Sequence, residues 1–188
     1  MDALLPPLVA AFLAEWGDRT QLLAILLASR FQRPRPILIG IAIAALLNSL
    51  LSAGGGHLLV PLINFRAITL MTALALLFAG AGALLPQKAP RLETKGAGGV
   101  LFASFFAFGV LEFGDKTQFI TATLAARADT VFLAAIGAGI GVLLANVPTV
   151  LLADRLTTTL PVRTFRLFAG LIFLVAGTIT ALSSLRLI

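Results

Sequence analysis

Apolar residues fill most of this chain, in long stretches that end at prolines, glycines and charged residues. A helix needs about 20 apolar residues to cross a bilayer, and prolines and polar turns separate one such helix from the next. The pattern predicts six membrane-spanning helices, approximately over residues 4–28, 37–51, 67–85, 100–126, 131–152 and 164–185. Three consecutive glycines before His57 predict a frayed end of the second span, with His57 at the membrane interface.

A short motif inside the first span recurs inside the fourth, 97 residues later. Glu15-Trp16-Gly17-Asp18-Arg19-Thr20-Gln21 returns as Glu112-Phe113-Gly114-Asp115-Lys116-Thr117-Gln118. Residues outside the motif keep the same offset: Arg30 and Arg127, Gly40 and Gly137, Arg66 and Arg163, Gly80 and Gly177. Asn48 and Asn146 match with one residue inserted. The chain therefore contains an internal duplication of three predicted spans.

The duplication predicts how the chain is divided and how its halves are oriented. We predict a first three-helix repeat over residues 1–85, a polar cytoplasmic connector over 86–99 and a second repeat over 100–188. Because each repeat has an odd number of spans, the second would enter the membrane from the opposite side, which makes the repeats inverted.

Basic residues in the loops predict the orientation in the membrane. The predicted spans place nine of them on one side: Arg30, Arg33, Arg35, Lys88, Arg91, Lys95, Arg155, Arg163 and Arg166. The other side has three: Arg66, Arg127 and Arg186. Cytoplasmic loops carry the excess of lysine and arginine, so both termini are predicted to lie outside the cytoplasm.

Composition supports an all-α integral membrane protein. Hydrophobic residues make up 59% of the 188 residues, and charged residues 12%, about half of the ~25% of soluble domains. With a mean hydropathy of +1.04, the lipid bilayer is the predicted partner. The absence of cysteine excludes disulfides and thiolate metal sites. A sequence pI of 11.4 does not indicate a nucleic-acid partner, because the basic residues lie in short loops between apolar stretches.

Acidic residues within the first and fourth spans predict an ion or proton path. A charge at the bilayer centre costs roughly 2.5–3.5 kcal/mol on insertion scales, so such residues usually serve a function. On a helix, each motif would present two acids and a glutamine on one face. Gly17 and Gly114 would either let helices approach closely or let the backbone unwind so that a carbonyl joins the site. The predicted ligands, gathered between the repeats, are Glu15, Asp18, Gln21, Glu112, Asp115 and Gln118. An all-oxygen site of this kind suits Ca²⁺, Mn²⁺ or Mg²⁺, and no cofactor is predicted.

Each motif also contains one basic residue, which balances part of the acidic charge. Arg19 follows Glu15 by four residues and Lys116 follows Glu112 by four, a spacing that predicts ion pairs along each helix. Four acids and two bases leave a formal charge of −2, which one divalent cation or two protons would cancel. Crowded carboxylates in a low dielectric should bind protons when the site is empty, and an entering metal ion should release them.

Other polar residues of the spans have two interpretations each. Thr20 and Thr117 either support the site or bond back to their own helix carbonyls. Asn48 and Asn146 either face the site or clamp neighbouring helices, and Pro148 is expected to break its helix locally. The motif charges as a whole also allow a purely structural role, in which ion pairs fix helix packing and the aspartates cap a helix break.

Both motif copies fit the pattern Glu-x-Gly-Asp-(Lys/Arg)-(Thr/Ser), and at these residues the chain resembles the Golgi-type calcium/manganese transporter family. The resemblance covers nearly the whole chain. It implies a six-span secondary transporter that exports Mn²⁺, or exchanges Ca²⁺ or Mn²⁺ for protons, with the motif acids as ligands. Short loops are similar to the bacterial branch, which includes manganese exporters and implies the inner membrane. Arg19 stands where lysine is common, which cautions against treating the halves as equivalent.

Three other functions are alternatives to divalent-cation exchange. A six-span exporter of amino acids or small metabolites would need an anion site beside the carboxylates, and a membrane chaperone would use the charges to bind a partner helix. An enzyme is not expected, because the chain has one histidine and no cysteine. The sequence does not decide between Mn²⁺ and Ca²⁺, and it leaves room for a homo-oligomer.

Overall fold

The computed structural model describes residues 2–88, 90, 99–153 and 162–187, and within these ranges it is all-α. Its eight helices are α1 (Leu5–Glu15), α2 (Arg19–Phe31), α3 (Pro34–Leu59), α4 (Phe65–Leu84), α5 (Gly99–Glu112), α6 (Lys116–Ala125), α7 (Val131–Leu151) and α8 (Val162–Ser184). The described residues include no strand, as the all-α prediction requires.

Four of these helices, α3, α4, α7 and α8, are long and apolar enough to cross a membrane, and α1 and α5 are shorter apolar helices. Many large apolar side chains point outward, among them Phe78, Phe106 and Val110, each at least 58% exposed. Such a surface is unfavourable in water and suits contact with lipid. The chain is a multi-pass membrane protein.

The predicted first and fourth spans are each interrupted at the motif. Residues 4–28 form α1 and α2, and residues 100–126 form α5 and α6. The prediction that the acids and the glutamine of each motif share one helix face is therefore wrong, and the backbone is unwound at Gly17 and Gly114, which was one of the two roles predicted for these glycines. Gly17 and Gly114 explain the interruption, since their φ angles of +75° and +77° lie in the left-handed region that favours glycine.

The predicted second span is longer than expected, because α3 continues through all three glycines to Leu59. The frayed end is therefore a wrong prediction. Gly56 is buried against α6, where an added Cβ would collide with the carbonyl oxygen of Ala122. This glycine allows two helices to approach closely and does not end the helix.

The predicted local break at Pro148 is also absent, because α7 continues to Leu151. The helical hydrogen bonds resume after the proline, where the Leu152 N–H donates to the Pro148 carbonyl at 2.9 Å. Proline is tolerated in membrane helices when neighbouring groups satisfy the freed backbone.

Small residues bring the helices of the two halves together. α1 packs on α7, α5 packs on α3, and α3 and α7 pack on each other, while α4 pairs with α8. Glycines stand at the closest approaches: Gly137 faces the backbone of Leu4, and Gly40 faces that of Leu101. As a result, the ends of α1 and α5, where the two motifs begin, lie beside Asn146 of α7 and Asn48 of α3, respectively.

Part of the predicted organisation lies outside the described residues. The connector predicted over 86–99 is described only at 86–88, 90 and 99, and Arg91, Lys95 and Arg155 of the charge comparison are likewise not described. The repeat boundaries therefore stay a prediction.

Candidate functional site

Each motif copy forms the same local break between two half-helices. The Gly17 N–H donates to Gln21 Oε1 at 2.7 Å, and the Gly114 N–H donates to Gln118 Oε1 at 2.8 Å. Asp18 and Asp115 occupy the N-cap positions of α2 and α6, without capping hydrogen bonds from their side chains. The motif thus places a glycine at the turn, an aspartate at the N-cap whose side chain does not cap the helix, and a glutamine that binds back to the turn.

This arrangement gives the two glutamines a defined role in the fold. Their amide oxygens accept hydrogen bonds from the glycine N–H groups, and the Gln21 Nε2 donates to Thr149 Oγ1 at 2.9 Å. The Gln118 Nε2 donates to Asn48 Oδ1 at 3.2 Å. The glutamines therefore hold each break against a helix of the other half, and their role as metal ligands stays a prediction.

The structure brings carboxylates of both motif copies together. Glu15, Asp18 and Asp115 each offer an oxygen, and these three oxygens lie within 4.8 Å of one another. Glu15 and Asp18 are buried, and Asp115 is partly exposed. Glu112 is also buried, at 1% exposure, but is not part of this group of three. A group of oxygens this close, in a mostly apolar protein, is able to bind a hard cation.

Glu15 is held by three hydrogen-bond donors. Its carboxylate accepts from Thr20 Oγ1 at 2.6 Å, from Thr117 Oγ1 at 3.1 Å and from Asn146 Nδ2 at 3.4 Å. Neither threonine hydroxyl bonds back to its own helix here. Both threonines and Asn146 thus lie at the site and fix the position of one carboxylate.

Glu112 has a different environment. Its carboxylate accepts a hydrogen bond of 3.3 Å from Asn48 Nδ2, which also donates to the Gly109 carbonyl at 3.1 Å. Each motif glutamate therefore contacts the asparagine of the opposite half, Glu15 with Asn146 and Glu112 with Asn48. Both asparagines face the motifs.

Thr149 is a site residue that the sequence analysis missed. It is fully buried on α7 and accepts the hydrogen bond from Gln21, while its own hydroxyl donates to the Ala145 carbonyl at 3.0 Å. Its spacing carried a signal for it, since Thr149 follows Asn146 by three residues and so lies on the same face of α7.

The basic residues do not form the predicted ion pairs with the glutamates. The Lys116 ammonium pairs with Asp18 of the other motif copy and lies 3.6 Å from Asp115 Oδ2. Arg19 instead donates from Nε to Gln87 Oε1 at 3.1 Å, on the exposed side of the site. The predicted pairs fail because the breaks separate each base from the half-helix that carries its glutamate.

Two buried oxygen atoms of the site make no hydrogen bond within the part of the chain that the structure describes. They are Asn146 Oδ1 and Asp115 Oδ2, and the second lies 3.6 Å from the Lys116 ammonium. Asp115 also lines a cavity of about 190 Å³, together with Asp18, Thr20 and Gly114. Carboxylates beside an open space, with acceptor capacity left over, are the features that a cation needs in order to enter and bind.

Comparisons with known proteins identify a family and a relative of the chain. The family profile described as "Divalent cation/proton antiporter GDT1" matches residues 3–91 and 100–187. A relative from Vibrio cholerae serotype O1 (strain ATCC 39541 / Classical Ogawa 395 / O395), named "Putative manganese exporter", is 35% identical over 182 residues. The matched region covers 96% of this chain and 91% of that relative. No solved structure matches the chain. On the family match, the chain belongs to the divalent cation/proton antiporter GDT1 family, a family of transporters.

Proposed function

We propose that the protein exchanges a divalent cation, Mn²⁺ in the first place and Ca²⁺ in the second, for protons. The observation that carries the proposal is the meeting of Glu15, Asp18 and Asp115, with one oxygen of each within 4.8 Å of the others. These residues come from both motif copies, so the ion would bind between the two halves of the chain.

The donor atoms favour hard cations. Carboxylates supply most of the site, and the unused Asn146 Oδ1 is a further oxygen ligand. Mn²⁺ and Ca²⁺ both accept such ligands. The name of the Vibrio cholerae relative favours Mn²⁺ for this chain as well. Glu112 would complete the site by a short side-chain movement from its hydrogen bond with Asn48.

Charge balance supports coupling to protons. The acids Glu15, Asp18, Glu112 and Asp115, with Arg19 and Lys116, carry a formal charge of −2. One divalent cation or two protons would neutralise these six residues together, with Arg19 acting from the exposed edge of the site, and in a low dielectric neutrality is strongly favoured. An ion that enters from one side would therefore displace protons, and protons that return would displace the ion.

Two inverted three-helix repeats are the architecture that we propose for this exchange. Contacts between helices support it: the start of α1 lies at the start of α7, and the start of α3 lies at the start of α5. If α1 is exchanged with α5 and α3 with α7, the same two contacts result. Rocking of one half against the other would then expose the site alternately to each side of a bacterial inner membrane, with both termini outside the cytoplasm.

Transport by purified protein in proteoliposomes tests the proposal. Uptake of Mn²⁺ and of Ca²⁺ would be driven by an imposed pH gradient, and the reverse proton flux would be followed with a pH dye. We expect flux for wild type and a loss of at least about tenfold for Asp18→Asn and Asp115→Asn. Asp129→Asn is the matched control, because Asp129 is exposed in the loop before α7 and should keep wild-type flux.

Three results would contradict parts of the proposal. Absence of flux for both ions, with folded wild-type protein, would contradict divalent-cation exchange. Flux without opposite proton movement would contradict the coupling. Unchanged flux in both aspartate variants would contradict the site and leave the family's activity to other residues.

A further inference from the structure

Lys116 occupies a position that its counterpart in the other motif copy does not. Its ammonium contacts Asp18 and lies 3.6 Å from Asp115 Oδ2, so one lysine bridges the two cap aspartates. Arg19, at the equivalent position of the first motif, contacts Gln87 at the exposed edge. Thus a single side chain places a positive charge inside the group of carboxylates proposed to bind the ion.

This position makes Lys116 and a divalent cation competitors. The ammonium contacts the Asp18 carboxylate, which the metal ion would also bind, and a singly and a doubly charged cation a few ångströms apart repel each other strongly in a low dielectric. The lysine side chain is a flexible four-carbon stem with a compact charge, so it can leave without any change of the backbone. Asp18 and Asp115, the two carboxylates that Lys116 contacts, line the cavity of about 190 Å³, and Lys116 itself lines a second, smaller cavity of about 10 Å³.

We infer that Lys116 is a tethered cation that occupies the ion site between transport cycles and is displaced from Asp18 and Asp115 when the divalent cation binds. The inference rests on the proposed function and assigns one residue a part in it. Lys116 would offset one of the two aspartate charges of the empty carrier, and it would keep the metal affinity low enough for release. It carries its charge in both states and changes only its position.

Binding measurements on the solubilised full chain test this competition. We would measure Mn²⁺ affinity by titration calorimetry at alkaline pH for wild type, Lys116→Gln, Lys116→Arg and the exposed control Lys88→Gln. Removal of the competing charge should tighten Mn²⁺ binding about tenfold or more in Lys116→Gln and slow Mn²⁺ release in transport assays. Lys116→Arg keeps the charge and should bind no tighter than wild type. Lys88→Gln should match wild type.

A second measurement uses the unmodified protein, in case Lys116→Gln does not fold. Acetic anhydride labelling, read by mass spectrometry, would compare the reactivity of Lys116 with that of the exposed Lys88, with and without saturating Mn²⁺. Displacement from the aspartates should raise the Lys116/Lys88 ratio several-fold. An unchanged or lower ratio would overturn the inference.

The results separate the inference from the proposed function. If wild type neither binds nor transports Mn²⁺ or Ca²⁺, the proposed function fails. If wild type binds Mn²⁺ and Lys116→Gln binds it equally or more weakly, the tethered-cation inference fails while cation exchange stands.

Discussion

Thr117, in the first turn of α6, donates a hydrogen bond of 3.1 Å to the carboxylate of Glu15, the last residue of α1. Thr20 donates to the same carboxylate at 2.6 Å, so both motif threonines serve one glutamate. In a symmetric arrangement, each motif glutamate would accept a hydrogen bond from one motif threonine. The two motif copies are nearly identical in sequence, yet their hydrogen bonds differ, so the described conformation is asymmetric at its centre.

Removal of these hydroxyls should weaken the site without a change of shape. Thr20→Val and Thr117→Val each delete a hydrogen bond to a buried carboxylate, worth about 1.5–3 kcal/mol. We expect Mn²⁺ flux in proteoliposomes to fall about tenfold for each variant. Thr72→Val is the control, because the buried Thr72 hydroxyl bonds only to the Ile68 carbonyl of its own helix. Equal flux in all three variants would show that the hydroxyls do not act on Glu15 during transport.

Close packing of α3 on α6 should make two adjacent glycines respond differently to alanine. The added methyl of Gly56→Ala would meet the Ala122 carbonyl, whereas that of Gly55→Ala enters open space. We expect Gly56→Ala to lower the free energy of unfolding by about 1–3 kcal/mol, as overpacking does. Gly55→Ala should be neutral or stabilising by about 0.5–1 kcal/mol, since alanine favours helix. Thermal unfolding in detergent measures both, and similar midpoints would contradict the close approach.

The glycines at the two helix breaks should also differ. Both have positive φ, so Gly17→Ala and Gly114→Ala each carry a strain of about 1–2 kcal/mol. At Gly17 the added Cβ would also lie 2.6 Å from the Cβ of Arg166 on α8, while at Gly114 the added Cβ would enter open space among the described residues. Gly17→Ala should therefore lower the unfolding midpoint more than Gly114→Ala does. The reverse order would contradict the contact between α8 and the first break.

Binding of the ion should stabilise the folded chain. A ligand that binds only the folded state adds about 2.7 kcal/mol at a concentration of 100 times its Kd. Mn²⁺ should therefore raise the thermal midpoint of wild type and of Asp129→Asn, and should fail to do so for Asp18→Asn. An equal Mn²⁺ effect on all three proteins would place the bound ion away from Asp18.

Hydrophobic stretches predicted most of the helices well, because span length and composition follow directly from the thickness of the bilayer. The last two described helices begin and end within two residues of their predicted limits. Most of the wrong predictions concerned glycines, since a glycine that interrupts a helix and a glycine that allows close helix packing look alike in a sequence. Gly17 and Gly114 interrupt helices, whereas Gly56 lies inside one and admits a neighbour.

The repeated motif predicted which residues would lie close together. The helical spacing of four residues predicted the wrong contacts between them. The offset of 97 related the two motifs and, with one residue inserted, the two asparagines, and all of them line the same region of the structure. Spacing of four residues predicted that Lys116 pairs with Glu112, but the break redirects it to Asp18. Contacts across a break depend on tertiary packing, which no local pattern contains.

The pairing of Lys116 with Asp18 also constrains how the protein is made. Lys116 lies 98 residues after Asp18, so it leaves the ribosome about 5–20 s later at about 5–20 residues per second. During this delay α1 and α2 are already available for insertion, while the countercharge of their buried aspartate does not yet exist. Final burial of the first half therefore has to wait for the second, and the two halves mature in the membrane as one unit.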